Sequence, residues 1–462
     1  MIIQNADKCA ELILGKQKVV NDIIYRLSPF VYIIKYDDVF LLFNNLTKAF
    51  FFFKENEFEE LLLSYVVNDD GTVSIDNFKF HQSIELKNLI EGYFFIPTDL
   101  DMIRLSDNLR RTAMLLESKK KSDIISFVIF PTTACNARCF YCFEAGIKAF
   151  SMSKETAEDV ADYIIDKSGD KVVYLRWFGG EPLCNINAID AICNKLNRNN
   201  KKFYGDFTTN GYLFDENIVS KAANEWNTTH VQITIDGLKD TYQKVKNYVN
   251  GDPNAYDKVI NNIKLLLEAG VQVKIRLNMD LYNADELKIL ITELNNIFYK
   301  YDNWRIYVRP LYENTVSWRY TRTSDERTLV TAKYMELEEL IKKFNRYSLH
   351  PLEKHITLYR CMADEPMTAM INPKGELGYC EHYPLEDIYG RVTDFKCKKA
   401  LWSDELPVLD ECRECVKYPS CIRLTKCYEG KNECMPYFRS RAINMLYVSV
   451  VDKYNEFRKK DK

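Results

Sequence analysis

The sequence predicts an α/β protein: a partial (β/α)6 TIM-like barrel, with a β-hairpin and helical module before it and a cysteine-rich domain after it. Three observations predict this. Six short apolar runs alternate with amphipathic helical runs between residues 123 and 315, as in parallel sheets buried on both faces. Turn motifs rich in Gly, Asn, Asp and Cys follow the first four runs, all at what would be the strands' carboxyl ends. The fourteen cysteines are unevenly placed, three at positions 135–142 and eight from Cys361 to Cys434.

A chain of 462 residues has room for two or three domains, read here as 1–121, 122–340 and 341–462. With 47% hydrophobic and 28% charged residues it is ordinary for a globular protein. A net charge of −3 makes no case for nucleic acid or an anionic membrane as partner. No stretch has the apolar length to cross a bilayer, and the first residues lack the pattern of an export signal, so a cytoplasmic protein is expected. In that compartment, cysteines at this density argue for metal rather than disulfides. Cys9, Cys184 and Cys193 lie outside the two cysteine fields and read as buried small hydrophobes.

In the first domain, Phe30–Tyr36 and Val39–Phe43 are strand-like runs parted by Asp37-Asp38, a hairpin signal. Helical runs follow at Glu57–Tyr65 and Leu86–Tyr93, and the Lys- and Ser-rich stretch Glu117–Ser122 reads as a linker. In the second domain the strands are expected at Ile125–Phe130, Val172–Phe178, Phe203–Thr208, Val231–Ile235, Val271–Leu277 and Trp304–Val308. Helices are expected between them, among others at Glu155–Lys167, Tyr256–Ala269 and Asp285–Tyr299. Asn283, three residues before Glu286, has capping-box spacing and reads as a helix cap. Six βα units fall short of the eight that close a full barrel, so the sheet is expected to be open, with its site at the carboxyl rim.

The rim motifs carry the chemistry. Cys135, Cys139 and Cys142 follow the first strand; three thiolates on one tight loop would leave one iron of a four-iron cluster without a protein ligand. On spacing alone a structural zinc site stays open. Gly179-Gly180-Glu181-Pro182 follows the second strand, Thr208-Thr209-Asn210-Gly211 the third, and Asp236-Gly237 the fourth. The glycines permit close backbone approach, and Glu181 with backbone carbonyls suits an ammonium group. Thr234 and Asp236 suit hydroxyls or a carboxylate, and Lys246 a negative charge; strand-end capping and a solvated face are the plain alternatives.

CxxxCxxC with Tyr141 before its last Cys, then GGEP, TTNG and IDG, resembles the radical S-adenosylmethionine (radical SAM) enzymes over residues 123–315. The resemblance implies a [4Fe-4S] cluster on Cys135, Cys139 and Cys142, with the methionine part of S-adenosylmethionine on the open iron. It further implies that Tyr141 contacts the adenine and that Gly179, Gly180, Glu181 and the Thr209-Asn210 turn line the cofactor. Thr234 and Asp236 would meet its carboxylate or ribose, and Leu311 would pack on the adenine. Lys246 stands where relatives usually carry Arg.

The second cysteine field resembles the SPASM extension of peptide- and protein-modifying radical SAM enzymes, which holds two auxiliary [4Fe-4S] clusters. By that match Cys412, Cys415, Cys421 and Cys434 hold the outer cluster, and Cys361, Cys380 and Cys427 the inner one. Two departures stand out. Five residues separate Cys421 from Cys427, more than is usual, and no second cysteine shortly precedes Cys361. The inner cluster would then have an open iron, or take Cys397 or a non-thiolate ligand. Glu381 follows Cys380 where relatives that make formylglycine carry a basic Asp; a plain salt-bridging role is as good a reading. For His382, next to it, a hydrogen-bonded structural histidine is the better one.

The resulting expectation is a peptide maturase that forms a thioether or C–C crosslink in a precursor peptide with a leader, served by a flavodoxin- or ferredoxin-type reductant. The 1–121 module resembles leader-peptide recognition modules in pattern. A sulfatase-maturase-like enzyme making formylglycine is the alternative.

Overall fold

A computed structural model describes residues 2–15, 17, 25–58, 65–67, 73–75, 84–118, 123–311, 321–344, 346, 352, 362–363, 365–382, 385–386, 388–394, 410–421 and 436–460. The chain packs as two units. One comprises Met1–Lys120, Leu349–Cys361 and Ser403–Lys462; the other comprises Lys121–Ser348 and Met362–Trp402.

In the first unit, β1 (Ile2–Gln4), β2 (Tyr25–Leu27), β3 (Val31–Tyr36), β4 (Val39–Asn44), β5 (Phe50–Lys54), β6 (Tyr65–Val67), β7 (Val73–Ile75) and β8 (Phe95–Pro97) form two four-stranded sheets, ordered β1-β5-β4-β3 and β6-β7-β2-β8. The expected hairpin is β3–β4: Tyr36 pairs with Val39 across Asp37-Asp38, and Asp37 adopts a left-handed φ of 51°. β4 and β5 read as unbroken apolar runs because both faces of this sheet are covered. Val39, Leu41, Phe43 and Phe50 pack with Val450, Val451 and Tyr454 of the terminal helix Pro436–Lys460. Leu42, Phe51 and Phe53 pack on the opposite face with Leu86, Leu89 and Ile90 of the helix Ile84–Glu91. The helical run expected at Glu57–Tyr65 is corrected in part: residues 55–58 are helical, residues 59–64 lie outside the described residues, and Tyr65 begins a strand. The linker expected at Glu117–Ser122 starts within the helix Met102–Ser118, an element the sequence reading passed over; residues 119–122 lie outside the described ones.

The second unit is built on the expected parallel sheet. β9 (Ser126–Thr132), β10 (Val173–Gly179), β11 (Phe203–Thr209), β12 (Thr228–Thr234), β13 (Gln272–Met279) and β14 (Trp304–Pro310) lie side by side in chain order, each parallel to the next. Side chains alternate between the two faces: Val173, Leu175 and Trp177 are buried while Tyr174 is 53% exposed. Helices including Lys154–Ser168, Ile186–Arg198, Ala255–Glu268 and Ala284–Ile297 supply the crossovers. Ser153 caps the first of these through the Thr156 amide at 3.1 Å. The sheet also continues where no strands were expected. β15 (Thr368–Ile371) pairs in parallel with β9, and β16 (Glu376–Gly378) and β17 (Ile388–Arg391) follow as antiparallel strands, β17 at the edge. Among the described residues no helix is long and apolar enough to cross a membrane.

Candidate active site

The cysteine loop leaves the end of β9 and returns beside it. Thr132 Oγ1 donates to the Phe150 carbonyl at 2.8 Å, and Thr133 Oγ1 to the Lys148 carbonyl at 2.8 Å, closing the loop at its base. Its outer part is pinned to the loops after β11 and β12. The Arg138 amide donates to the Lys246 carbonyl at 2.8 Å, the Val249 amide to the Asn136 carbonyl at 2.9 Å, and Asn210 Nδ2 to Asn136 Oδ1 at 2.7 Å. Cys135, Cys139 and Cys142 are half-buried. Burial, with a contribution from Glu181, pushes the Cys135 thiol up to about 12; burial pushes Cys142 up to about 11 and raises Cys139. Metal coordination would deprotonate these thiols outright. Among the described residues no three His, Cys, Asp or Glu side chains converge as a single-ion site would require. Three thiolates on one loop are a donor set that a four-iron cluster can take, with one iron left for another ligand.

Glycines 179 and 180 are required by the chain's own backbone. Gly179 sits at φ 116°, and a Cβ on Gly180 would lie 2.4 Å from the Ala134 carbonyl oxygen and 2.6 Å from that of Thr133. The strand end after β10 is thereby pressed against the start of the cysteine loop. Glu181 is fully buried, and its carboxylate accepts Thr209 Oγ1 at 2.8 and 2.9 Å, the Asn210 amide at 2.8 Å and the Leu183 amide at 3.2 Å. It knits the turns after β10 and β11 together. Burial raises its carboxyl above the ordinary range, opposed by those hydrogen bonds.

The loops after β12 and β13 complete the rim. Asp236 is 0% exposed; its Oδ2 accepts the Tyr141 hydroxyl at 2.9 Å and pairs with Lys246 Nζ at 2.8 Å. Lys246 Nζ also lies 3.4 Å from the Tyr141 oxygen. Burial disfavours the Lys246 charge, but Asp236, Tyr141, Cys139 and Tyr242 together outweigh it and hold the ammonium well above its ordinary range. Asp236 Oδ1 is buried with no hydrogen-bond partner among the described residues. Thr234 ends β12, half-buried, and Leu311 is buried just past β14, its amide on the Met279 carbonyl at 2.9 Å. Cys135, Cys139, Cys142, Tyr141, Thr209, Asn210, Glu181, Asp236 and Lys246 are thus gathered at one rim.

Asn283 corrects the sequence reading. It occupies the N-cap position of Ala284–Ile297 but makes no side-chain cap bond. Its Nδ2 donates to the carbonyls of Asp236 at 2.8 Å and Asn278 at 3.0 Å, while Glu286 accepts the Leu238 amide and Thr241 Oγ1, each at 2.7 Å. The spacing of a capping box is used to brace the neighbouring rim loop. Arg322 closes the far side, its Nη2 3.1 Å from Asp280, both side chains buried.

Glu381 lies in the same unit, following Cys380, whose Sγ accepts the His382 amide at 3.5 Å. His382 stacks on Phe143, centroids 4.7 Å apart, next to Cys142. Sequence reasoning missed Glu144. Burial first, and the Glu381 charge second, push its carboxyl up to about 8. The available signal was an acid two residues past the last cysteine of the loop.

In the first unit Cys412, Cys415 and Cys421 are half-buried on one turn, where the Cys415 amide bonds the Cys412 carbonyl at 3.0 Å. Cys361, Cys397, Cys427 and Cys434 lie outside the described residues. Cys193 is buried as expected, whereas Cys184 is exposed; the Cys9 side chain is not described.

Residues 129–293 match the family model of the radical SAM superfamily. An uncharacterized protein of Methanocaldococcus jannaschii is 32% identical over 128 residues, 27% of this chain and 43% of that protein. The radical SAM cyclopropyl synthase TigE of Paramaledivibacter caminithermalis is 25% identical over 317 residues, 59% of this chain and 64% of that one. The chain therefore spans 43% and 64% of the length of these two relatives. The solved structure of native anSMEcpe with bound AdoMet and Kp18Cys peptide superposes with a TM-score of 0.55 at 18% identity, covering 73% of this chain and 99% of that one. This last likeness establishes the fold.

Proposed function

We propose that the chain, a radical SAM enzyme by its 129–293 domain, is a peptide maturase that crosslinks a ribosomally made precursor through a thioether or C–C bond. Cys135, Cys139 and Cys142 would hold a [4Fe-4S] cluster that, with S-adenosylmethionine, would supply radical chemistry for hydrogen abstraction. The remaining work falls to the chain's own residues. Glu181 and Asn283 fix the rim turns that face the cluster loop. Tyr141 and Lys246, joined through Asp236, form a desolvated polar patch beside Cys139 for the cofactor's polar groups, and Asp236 Oδ1 keeps one accepting position unfilled. Gly179, Gly180, Thr209, Asn210, Thr234 and Leu311 line the remaining cofactor wall. Glu381 serves as the base that takes the substrate proton. Cys361, Cys380 and Cys427, with Cys412, Cys415, Cys421 and Cys434, would hold two auxiliary clusters, which would supply redox centres for the oxidation that bond formation entails.

The single observation that carries this reading is the hydrogen-bonded junction of the cysteine loop with the GGEP, TTNG and IDG turns. A peptide substrate accords with the anSMEcpe structure named above, which has AdoMet and the Kp18Cys peptide bound. Residues 1–121 are proposed to bind the leader as an added strand on β3, the edge of its sheet among the described residues. A flavodoxin- or ferredoxin-type protein would supply the electron.

The test is an anaerobic reaction of reconstituted enzyme, S-adenosylmethionine and reductant with short peptides encoded beside its gene. The expected product is a peptide two hydrogens lighter, with fragmentation blocked between the joined residues. A carbonyl at a Cys or Ser, captured by a hydrazide, would favour the formylglycine alternative instead.

A further inference from the structure

We infer that the Cys412–Cys421 loop is the structural keystone of the N-terminal unit, so that the metal centre on those thiols holds the β3–β5 sheet and the helix Met102–Ser118 in their folded arrangement. The inference rests on the proposed metal site and goes beyond it, because an auxiliary cluster in the role of electron carrier need not brace a distant part of the sequence.

The contacts run from the loop to the first domain. Asn45, just past β4, donates through Nδ2 to two loop carbonyls, Val416 at 2.6 Å and Tyr418 at 3.2 Å. The Tyr418 ring stacks on Phe30, centroids 6.1 Å apart and 15° from parallel. Its hydroxyl donates to Asp107 and receives Ser106 Oγ at 3.3 Å, and Arg413 reaches Asp107 at 3.4 Å. Cys412 and Cys421 themselves pack on the buried cluster of Phe30, Leu46, Tyr93, Ile96, Met102 and Tyr418.

Three thiols on one short turn are thus walled in by side chains that come from more than 300 residues earlier in the chain. The loop has little regular structure of its own, only the four-residue helix Asp410–Arg413. A loop of this kind gains its shape from its metal, and the free energy of metal binding becomes folding free energy for whatever packs on it. Linkage makes the effect reciprocal: weakening the wall must weaken the metal. By contrast, the rim of the parallel sheet is closed by its own hydrogen bonds and needs no such brace.

The experiment compares reconstituted wild type with Cys415→Ala and Asn45→Ala by iron analysis and amide hydrogen exchange. Cys415→Ala is expected to lose about four irons per chain. Exchange should rise at least about tenfold in Val31–Lys54 and Met102–Ser118, with β9–β14 unchanged. Asn45→Ala keeps every thiol and folds with less risk; it should release that iron to a chelator several times faster than wild type. Loss of the iron with exchange in Val31–Lys54 still at the wild-type rate overturns the inference while leaving the metal site standing. Iron unchanged in Cys415→Ala overturns the metal site and the inference with it. Wild-type release from Asn45→Ala also overturns the inference.

Discussion

The two cysteine loops that the structure describes are built in opposite ways. The loop of Cys135, Cys139 and Cys142 is framed by neighbours in the same sheet: each rim turn follows its own strand, and Glu181, Asn210, Asp236 and Lys246 tie the turns together. The loop of Cys412, Cys415 and Cys421 is framed by Phe30, Asn45 and Asp107, from the other end of the chain. The first site is preorganised by short-range topology, which suits chemistry that must exclude water and hold a small cofactor. The second depends on long-range closure and suits a structural or coupling role.

The comparison is broken most severely at the buried ion pair. Lys246→Met leaves Asp236 charged and unpaired in a desolvated position, which costs about 3–5 kcal/mol. Thermal unfolding followed by calorimetry should show the melting temperature of the second unit falling while exchange in Val31–Lys54 stays unchanged. A parallel collapse of the N-terminal sheet would deny that the two loops are independently framed. The pH window of this pair follows from its sign. Because the folded ammonium is held above its ordinary value, its contribution is full below about pH 10 and is lost as pH rises through the folded value. The difference between wild type and Lys246→Met should therefore be flat from pH 6 to pH 9.

Glu181→Gln keeps the shape but turns one acceptor into a donor facing Thr209 Oγ1 and the Asn210 amide. An expected loss of about 1–3 kcal/mol follows from the unsatisfied buried groups, readable as a lower denaturant midpoint with an unchanged slope. A midpoint within error of wild type would mean the GGEP turn is held by its glycines alone. Asn283→Ala removes the bond to the Asp236 carbonyl and should cost about 1 kcal/mol, with S-adenosylmethionine affinity weakened by loosening of the Asp236 loop. Equal stability for the variant would return Asn283 to the helix-cap role its spacing suggested.

The smallest effect lies away from both loops. Burial, and then Lys274, hold the His230 imidazole below its ordinary value. The unfolded chain then binds more protons than the folded one as pH falls from about 7 toward 5, so this residue's contribution to stability is lost in that window. His230→Gln should flatten that part of the melting profile slightly relative to wild type.

Much of this was legible in the sequence, and what was not has physical reasons. The six parallel strands could be read because buried apolar residues recur along each of them between helical runs, and their motifs could be placed because each follows its strand. β15 to β17 were missed because Thr368–Ile371 is only four residues long and the strands Glu376–Gly378 and Ile388–Arg391 carry Gly and charge. Asn283 misled because a capping box and a loop brace share one spacing. Glu144 was missed because its place two residues past Cys142 does not reveal that burial and a residue more than 200 positions away will perturb its carboxyl. The partnership of Asn45 with the Cys412–Cys421 turn has no local signature at all.

The most direct measurement of the central claim is 5′-deoxyadenosine formed anaerobically from S-adenosylmethionine by reconstituted wild type and by Cys142→Ala. The framed rim predicts steady formation by wild type and a loss of at least about a thousandfold in the variant, as expected when the reacting centre is removed. Wild-type protein with its full iron and reductant that makes no 5′-deoxyadenosine, or a variant that makes as much as wild type, would contradict it.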